Sequence, residues 1–199
     1  MDYRIIRSLI EQEIQDSYSV KQNILIDQTI INSIQHVAER CIQVYKNGGK
    51  TMLVGNGGSA ADAQHIAAEL SGRLQFQRPP IPSLALTTNS SEITAIANDF
   101  GYDNVFSRLV EANGVPGDLF IGISTSGKSS NILRAIEKCK ALNIITVGLT
   151  GLLGSPMLDI CDYCIMVPSE STQRIQECHI LVGHIICRIV ESTLFGTMD

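Results

Sequence analysis

Thr51-Met52-Leu53-Val54-Gly55-Asn56-Gly57-Gly58-Ser59-Ala60-Ala61-Asp62-Ala63-Gln64-His65 is the stretch whose reading decides the fold. Thr51 to Val54 reads as a buried strand, Gly55 to Ser59 as a tight turn, and Ser59 to about Ser71 as a helix closed by Gly72. The unit recurs. Asp118-Leu119-Phe120-Ile121-Gly122-Ile123 is a strand, Ser124-Thr125-Ser126-Gly127-Lys128-Ser129 its turn, and about 129 to 142 its helix. Between them, Arg78-Pro79-Pro80-Ile81-Pro82 must be extended loop, Ser83 to Leu86 a short strand, and about 91 to 98 and 103 to 112 helices separated by Asp99-Phe100-Gly101. Asn143 to Leu149 and Tyr163 to Val167 supply a fourth and fifth strand before a long helix from Ser171 to about Leu194. Such alternation implies an α/β fold with a doubly wound, five-stranded parallel sheet flanked by helices. With the flavodoxin-like strand order 2-1-3-4-5, ligands collect between the first and third strands, which are the two that end in the glycine- and serine-rich turns.

Upstream, residues from about 3 to 47 carry helical periodicity, read as two helices meeting near Ser17 to Val20 and stopped by Gly48-Gly49. Ile24, Ile31, Ile34, Ala38, Cys41, Ile42 and Tyr45 fall on one stripe. So much leading helix exceeds what one sheet face needs, which points to packing against another subunit. The expected organisation is one domain over 1–199, with an oligomer-forming helical extension (1–48) and an α/β core (49–199). At 199 residues and 44% apolar content the chain can bury a substantial core. Its net charge of −5 and lack of a Lys/Arg run argue against nucleic acid or an anionic membrane as the main partner and favour a small solute. No run of about 18 apolar residues is present, and Met1-Asp2-Tyr3-Arg4 opens a mixed helical pattern rather than a signal peptide, so a cytoplasmic protein is expected. The six cysteines form no disulfide framework; Cys161-Asp162-Tyr163-Cys164 fits C-x-x-C but lacks the second pair that a zinc ribbon needs.

The two turns suit an anion. Glycines let the main chain approach a phosphate, the free N–H groups of a helix start point at it, and Ser124, Thr125, Ser126 and Ser129 add hydroxyl donors. Either turn alone is equally an ordinary βα turn with a serine cap; two at neighbouring strand ends favour a phosphate. Ser59-Ala60-Ala61-Asp62 has capping-box spacing. Gly122 to Ser129 also satisfies G-x-x-x-x-G-K-[ST], the nucleotide triphosphatase pattern, although neither the fourth nor the fifth strand ends in the aspartate that would hold the metal. His65 and Glu69 are four apart on one helical face, roughly 6 Å between Cβ atoms, and so can share a metal or form a surface pair. His184 lies among Val182, Ile185, Ile186 and Ile189, where a buried imidazole needs a partner. Gln176 is eight residues before it, a rise of about 12 Å, which makes it the weaker ligand on geometry.

Taken together, Gly55-Asn56-Gly57-Gly58-Ser59, His65-Ile66-Ala67-Ala68-Glu69-Leu70-Ser71-Gly72-Arg73, Asn98-Asp99-Phe100-Gly101, Gly122-Ile123-Ser124-Thr125-Ser126-Gly127 and Arg174-Ile175-Gln176-Glu177 resemble phosphoheptose isomerase, a family of the sugar-isomerase (SIS) domain group. The resemblance covers nearly the whole chain. It implies interconversion of sedoheptulose 7-phosphate and D-glycero-D-manno-heptose 7-phosphate through an ene-diol(ate), feeding lipopolysaccharide or other surface polysaccharides, by a homotetramer with one zinc per site between subunits. It implies His65, Glu69, Gln176 and His184 as zinc ligands and Glu69 and His184 as acid/base groups. It further implies Asn56, Gly57, Gly58, Glu69, Asn98, Asp99, Ser124, Thr125, Ser126, Ser129 and Gln176 as contacts of the sugar phosphate, with Arg73 nearby. The chain is also similar to a non-catalytic relative, the DnaA initiator-associating protein, in Thr94-Ala95-Ile96-Ala97-Asn98-Asp99 and Thr193-Leu194-Phe195. That relative lacks a carboxylate at the Glu69 position and an imidazole at the His184 position, and this chain has both. Gln173 stands where some isomerases carry an aspartate.

Overall fold

The computed structural model describes residues 3–196; Met1-Asp2, read above as the opening of the first helix, and residues 197–199 lie outside it. The elements in order are α1 (Tyr3–Ile26), α2 (Gln28–Lys46), β1 (Thr51–Gly55), α3 (Gly58–Ser71), β2 (Ser83–Ala85), α4 (Ser90–Phe100), a 3-10 turn (Tyr102–Asn104) and α5 (Val105–Asn113). They continue with β3 (Leu119–Ile123), α6 (Ser130–Ala141), β4 (Ile145–Gly151), α7 (Ser155–Ile160), β5 (Tyr163–Val167) and α8 (Thr172–Phe195). The sheet has the order β2-β1-β3-β4-β5 with every neighbour parallel. β1 and β3 run in full register, Thr51 opposite Leu119 through Gly55 opposite Ile123, so their turns emerge side by side.

Because both faces of the sheet are covered, its strands are apolar without alternation. Leu53, Ile121, Ile123, Val147 and Leu149 pack with Val37, Cys41, Ile66, Leu70, Val182 and Ile186 of α2, α3 and α8. On the opposite face, Met52, Val54 and Phe120 meet Phe106, Leu109, Val110, Ile132, Ile136 and Met157 of α5, α6 and α7. α8 is long and apolar enough for a membrane span by length and composition, but half of that window is buried inside the chain. Here it is the core helix of one face.

The leading helices divide at Asp27, not near Ser17 to Val20. Nothing in that earlier stretch breaks a helix, whereas Asp27 Oδ1 accepts from the N–H groups of Thr29 (2.8 Å) and Ile30 (3.4 Å) and from the Thr29 hydroxyl (2.6 Å). These bonds, the hydroxyl first, hold its carboxyl below the usual carboxylate range. On α2 the buried positions are Ile30, Ile34, Val37, Ala38, Cys41 and Val44, while Ile31, Ile42 and Tyr45 are only half-buried at the stripe's margin. α1 buries Ile24 alone and leaves Tyr3, Ile5, Ile6, Leu9, Ile10, Ile14 and Tyr18 exposed. Polar links fix it to α8: Arg174 bridges Glu13 (3.4 Å) and Glu177 (2.7 Å), and Ser17 donates to Glu177 (2.6 Å).

Smaller shifts have local causes. β4 starts at Ile145, two residues later than expected, because Asn143 adopts a left-handed conformation (φ 55°) that closes the preceding turn. α4 takes in Asp99 and Phe100 and stops at Gly101. α7, six residues long, is too short to show a helical period in the sequence. The Ser59–Asp62 capping box does not form: α3 starts from Gly57 with no side-chain cap, Ser59 is buried in the first turn, and Asp62 Oδ2 has no partner.

Candidate active site

The two turns at the carboxyl ends of β1 and β3 are tied to one another by side chains. Asn56 Nδ2 donates to Asn131 Oδ1 (3.0 Å) and Asn131 Nδ2 to Asn56 Oδ1 (2.9 Å), a reciprocal amide pair that Tyr102 joins through its hydroxyl (3.0 Å to Asn56 Oδ1). Asn131 is 3% exposed and lies in the first turn of α6. In the second turn, Ser124 Oγ is 3.0 Å from Ser129 Oγ and 3.5 Å from Ser126 Oγ, which also accepts from the Lys128 N–H (3.2 Å). Gly127 carries φ 64°, and a Cβ there would fall 2.4 Å from Gly154 Cα, so only glycine closes this turn. The Thr125 carbonyl accepts from Gly151 N–H at the end of β4 (3.1 Å). Asn98 and Asp99 are exposed at the end of α4 and bonded to each other (2.9 Å); their segment reaches the first turn through Tyr102 and the second through Asp103, which accepts from Ser130 (2.7 Å). Tyr102, Asp103 and Asn131 were not singled out from the sequence. Only Asn131 left a signal there, as a polar residue directly before the apolar pattern of α6.

The triphosphatase pattern loses its geometry. Gly122 lies inside β3, paired with Val54 and Gly148, and the turn proper begins only at Ser124.

α3 and α8 lie side by side and point the same way. Near their starts, a Cβ on Gly58 would fall 2.6 Å from Gln176 Nε2; farther along, one on Gly183 would meet Ile66 Cδ1 at 2.5 Å. The missing side chains allow this close approach. Gln176 therefore belongs with the first turn in this chain, about 12 Å of helical rise before His184. On the facing surfaces, His65 Nε2 is 3.1 Å from Glu69 Oε1 and 3.2 Å from His184 Nε2, with the rings edge-on at 4.9 Å. One donor atom from each of His65, Glu69 and His184 lies within 4.8 Å of the others. Ligands about 2.0–2.1 Å from a tetrahedral zinc stand a little over 3 Å apart, so this N,N,O set fits that ion.

The buried imidazole is His179, not His184. His184 is half-buried, whereas His179 is fully enclosed, its Nε2–H donating to the Thr150 carbonyl (3.2 Å) while Nδ1 has no partner. Burial, partly opposed by that hydrogen bond, lowers its pKa to about 4. It stays neutral and holds α8 to the end of β4, next to the Thr125 contact of the second turn. Cys161 and Cys164 are free, half-buried thiols pushed up to about 12 and about 11 by burial, which disfavours the thiolate. Arg73 is exposed, and Gln173 accepts from the Ser171 hydroxyl (3.2 Å).

The chain matches the SIS domain over residues 19–151. A phosphoheptose isomerase of Aneurinibacillus thermoaerophilus is 58% identical over 186 residues, 94% of each chain. Phosphoheptose isomerase 2 of Campylobacter jejuni is also 58% identical, covering 96% of this chain and 95% of the relative. Among solved structures, a phosphoheptose isomerase from Neisseria gonorrhoeae superposes with a TM-score of 0.88 at 37% identity, over 94% of this chain and 99% of the other. The fold and these matches place the chain in the SIS-domain class. Within that class it belongs to the phosphoheptose isomerase family and is an isomerase.

Proposed function

We propose that this isomerase converts sedoheptulose 7-phosphate to D-glycero-D-manno-heptose 7-phosphate, for heptose-containing lipopolysaccharide or capsule, with one zinc held by His65, Glu69 and His184. The observation that carries this reading is the meeting of those three side chains from two helices beside a pair of anion-binding turns. A non-catalytic adaptor has no use for that carboxylate and imidazole, and the relatives above are named as isomerases.

In the reaction, the phosphate sits among the hydroxyls of Ser124, Thr125, Ser126 and Ser129, with Asn56, Gly57 and Gly58 lending main-chain and amide donors. Asn98, Asp99 and Gln176 hold the sugar hydroxyls. Glu69 takes the proton from C1 of the ketose and returns it to C2, while His184 moves the hydroxyl proton from O1 to O2. When bound, zinc supplies a Lewis acid that polarises the two oxygens. As a zinc ligand, Gln176 would have to come from a second copy of the chain, since in its own chain it stands at the first turn. A homotetramer with sites between subunits accommodates this, and the exposed apolar side of α1 supports self-association. Six free cysteines suit a cytoplasmic protein.

Aldose formation from sedoheptulose 7-phosphate is the test, with metal-stripped and zinc-restored protein. Activity lost on stripping and regained with zinc is expected; full activity in either Glu69→Gln or His184→Gln sinks the role given to that residue.

A further inference from the structure

Beyond the last donor of the cluster lies a second set of contacts between α3 and α8 that the reaction itself does not use. Arg78, in the loop after α3, and Glu191, two turns past His184 on α8, form an ion pair whose side chains are 2% and 1% exposed. Arg78 Nε donates to Glu191 Oε1 (2.9 Å), Nη2 to the carbonyl of Glu69 (2.8 Å), and Nη1 to the carbonyls of Leu70 (2.7 Å) and Pro79 (3.0 Å). The Glu191 carboxylate accepts in addition from the N–H groups of Leu74 (3.0 Å) and Gln75 (2.9 Å). Burial alone would raise its pKa, but these three donors outweigh it and hold the group below its ordinary value. The guanidinium also lies over the Phe195 ring, 5.7 Å from its centre.

Glu69 and Leu70 are in the last turn of α3, where carbonyls have no partner within the helix and the dipole favours a cation. Arg78 meets both needs. The outcome is a rigid link between the main chain of the residue that carries the carboxylate and the helix that carries the imidazole of His184.

We propose that Arg78 and Glu191 are positioning residues: together they set the gap between α3 and α8 and so the spacing of His65, Glu69 and His184. This rests on the metal and acid/base reading above. Buried ion pairs contribute little net stability compared with apolar residues of similar volume, so folding alone does not account for six hydrogen bonds gathered where the end of α3 and its following loop meet α8. Outer contacts that orient metal ligands are worth about 10- to 100-fold in metal affinity.

The test uses two variants of the full chain. Arg78→Lys keeps a charge for Glu191 but loses the fork to the two carbonyls; the double variant Arg78→Met/Glu191→Leu removes the polar link while filling its volume. Zinc affinity is measured on metal-stripped protein by competition with a chromophoric chelator, and kcat and KM on the zinc-loaded enzyme. Zinc affinity should fall about 10- to 100-fold in the double variant. In both variants kcat should drop by at least about tenfold with KM held within about threefold, because the phosphate turns are untouched. Wild-type zinc affinity and kcat in either folded variant overturn the proposal, as does a KM that rises in step with the loss of kcat. If the wild-type chain turns over no heptose phosphate, the proposed reaction fails, and zinc affinity by itself decides whether the pair positions the ligands.

Discussion

At its start α3 leaves Gly57 without a side-chain cap and its first N–H groups free of side-chain partners, whereas at its end Arg78 takes up the carbonyls of Glu69 and Leu70. The first end carries no side-chain cap to compete with a ligand, and Gly58 leaves space for the Gln176 amide to stand over it. At the other end the carbonyls of Ala68, Glu69 and Leu70 are all committed. One helix thus serves as a mouth that accepts an anion and as a fixed mount for two metal-binding side chains. The difference teaches that binding and chemistry here can be damaged separately.

The sharpest break is at the chemistry. Glu69→Gln should lower kcat by about 1,000-fold or more, within the range for losing a general base, while binding of inorganic phosphate stays near wild type; loss of phosphate binding would show that the two ends are not independent. At the fixed end, Arg78→Met alone leaves the Glu191 carboxylate buried without its charge partner, and equilibrium urea unfolding should show a loss of about 3–5 kcal/mol. A loss below about 1 kcal/mol, the level of an exposed pair, would mean that the end is not closed. Next comes His179, whose folded pKa of about 4 lies below its unfolded value of 6.5. Above about 6.5 both states are neutral; between there and about 4 only the unfolded chain gains a proton, so stability falls with pH and then levels off. His179→Gln lacks that loss, and the stability gap between wild type and variant should narrow by about 3 kcal/mol from pH 7 to pH 4; a constant gap would show that the imidazole is not held neutral. Smallest, Gly58→Ala pushes the Gln176 amide away from the open end and should raise KM by about tenfold with little change in kcat, a cost of about 1.4 kcal/mol. A change confined to kcat would place Gln176 with the chemistry instead.

Much of this design was legible in the chain. The strands were readable because both sheet faces are covered, which makes each a short apolar run, and the two turns because glycine and serine have few other reasons to cluster at strand ends. His65 and Glu69 could be paired by helical spacing alone. The closeness of His184 to them could not, since 119 residues separate it from His65 and only packing brings them together. His179 and His184 show the same limit: both sit in an apolar stretch of α8, and which is enclosed depends on how α8 lies against β4 and α3. The Arg78–Glu191 pair was invisible for a further reason, because its guanidinium bonds mainly to carbonyls, which every sequence has. The leading helices were divided at the wrong place because the Asp27 cap is a single side chain inside an otherwise unbroken pattern.

The shared direction of α3 and α8 has a metrical consequence. Gly58 and His65 are seven residues apart, two turns that bring both to nearly the same side of the helix about 10 Å from one another. The distance from mouth to mount is therefore written in residues, as on a ruler, and no loop movement can stretch it. One residue added between them would lengthen it by only about 1.5 Å but swing His65 through about 100°. The same swing would turn Ile66, Ala67 and Leu70 off the core, so the count of residues that sets the reach of a molecule gripped at one end is also the count that keeps α3 packed.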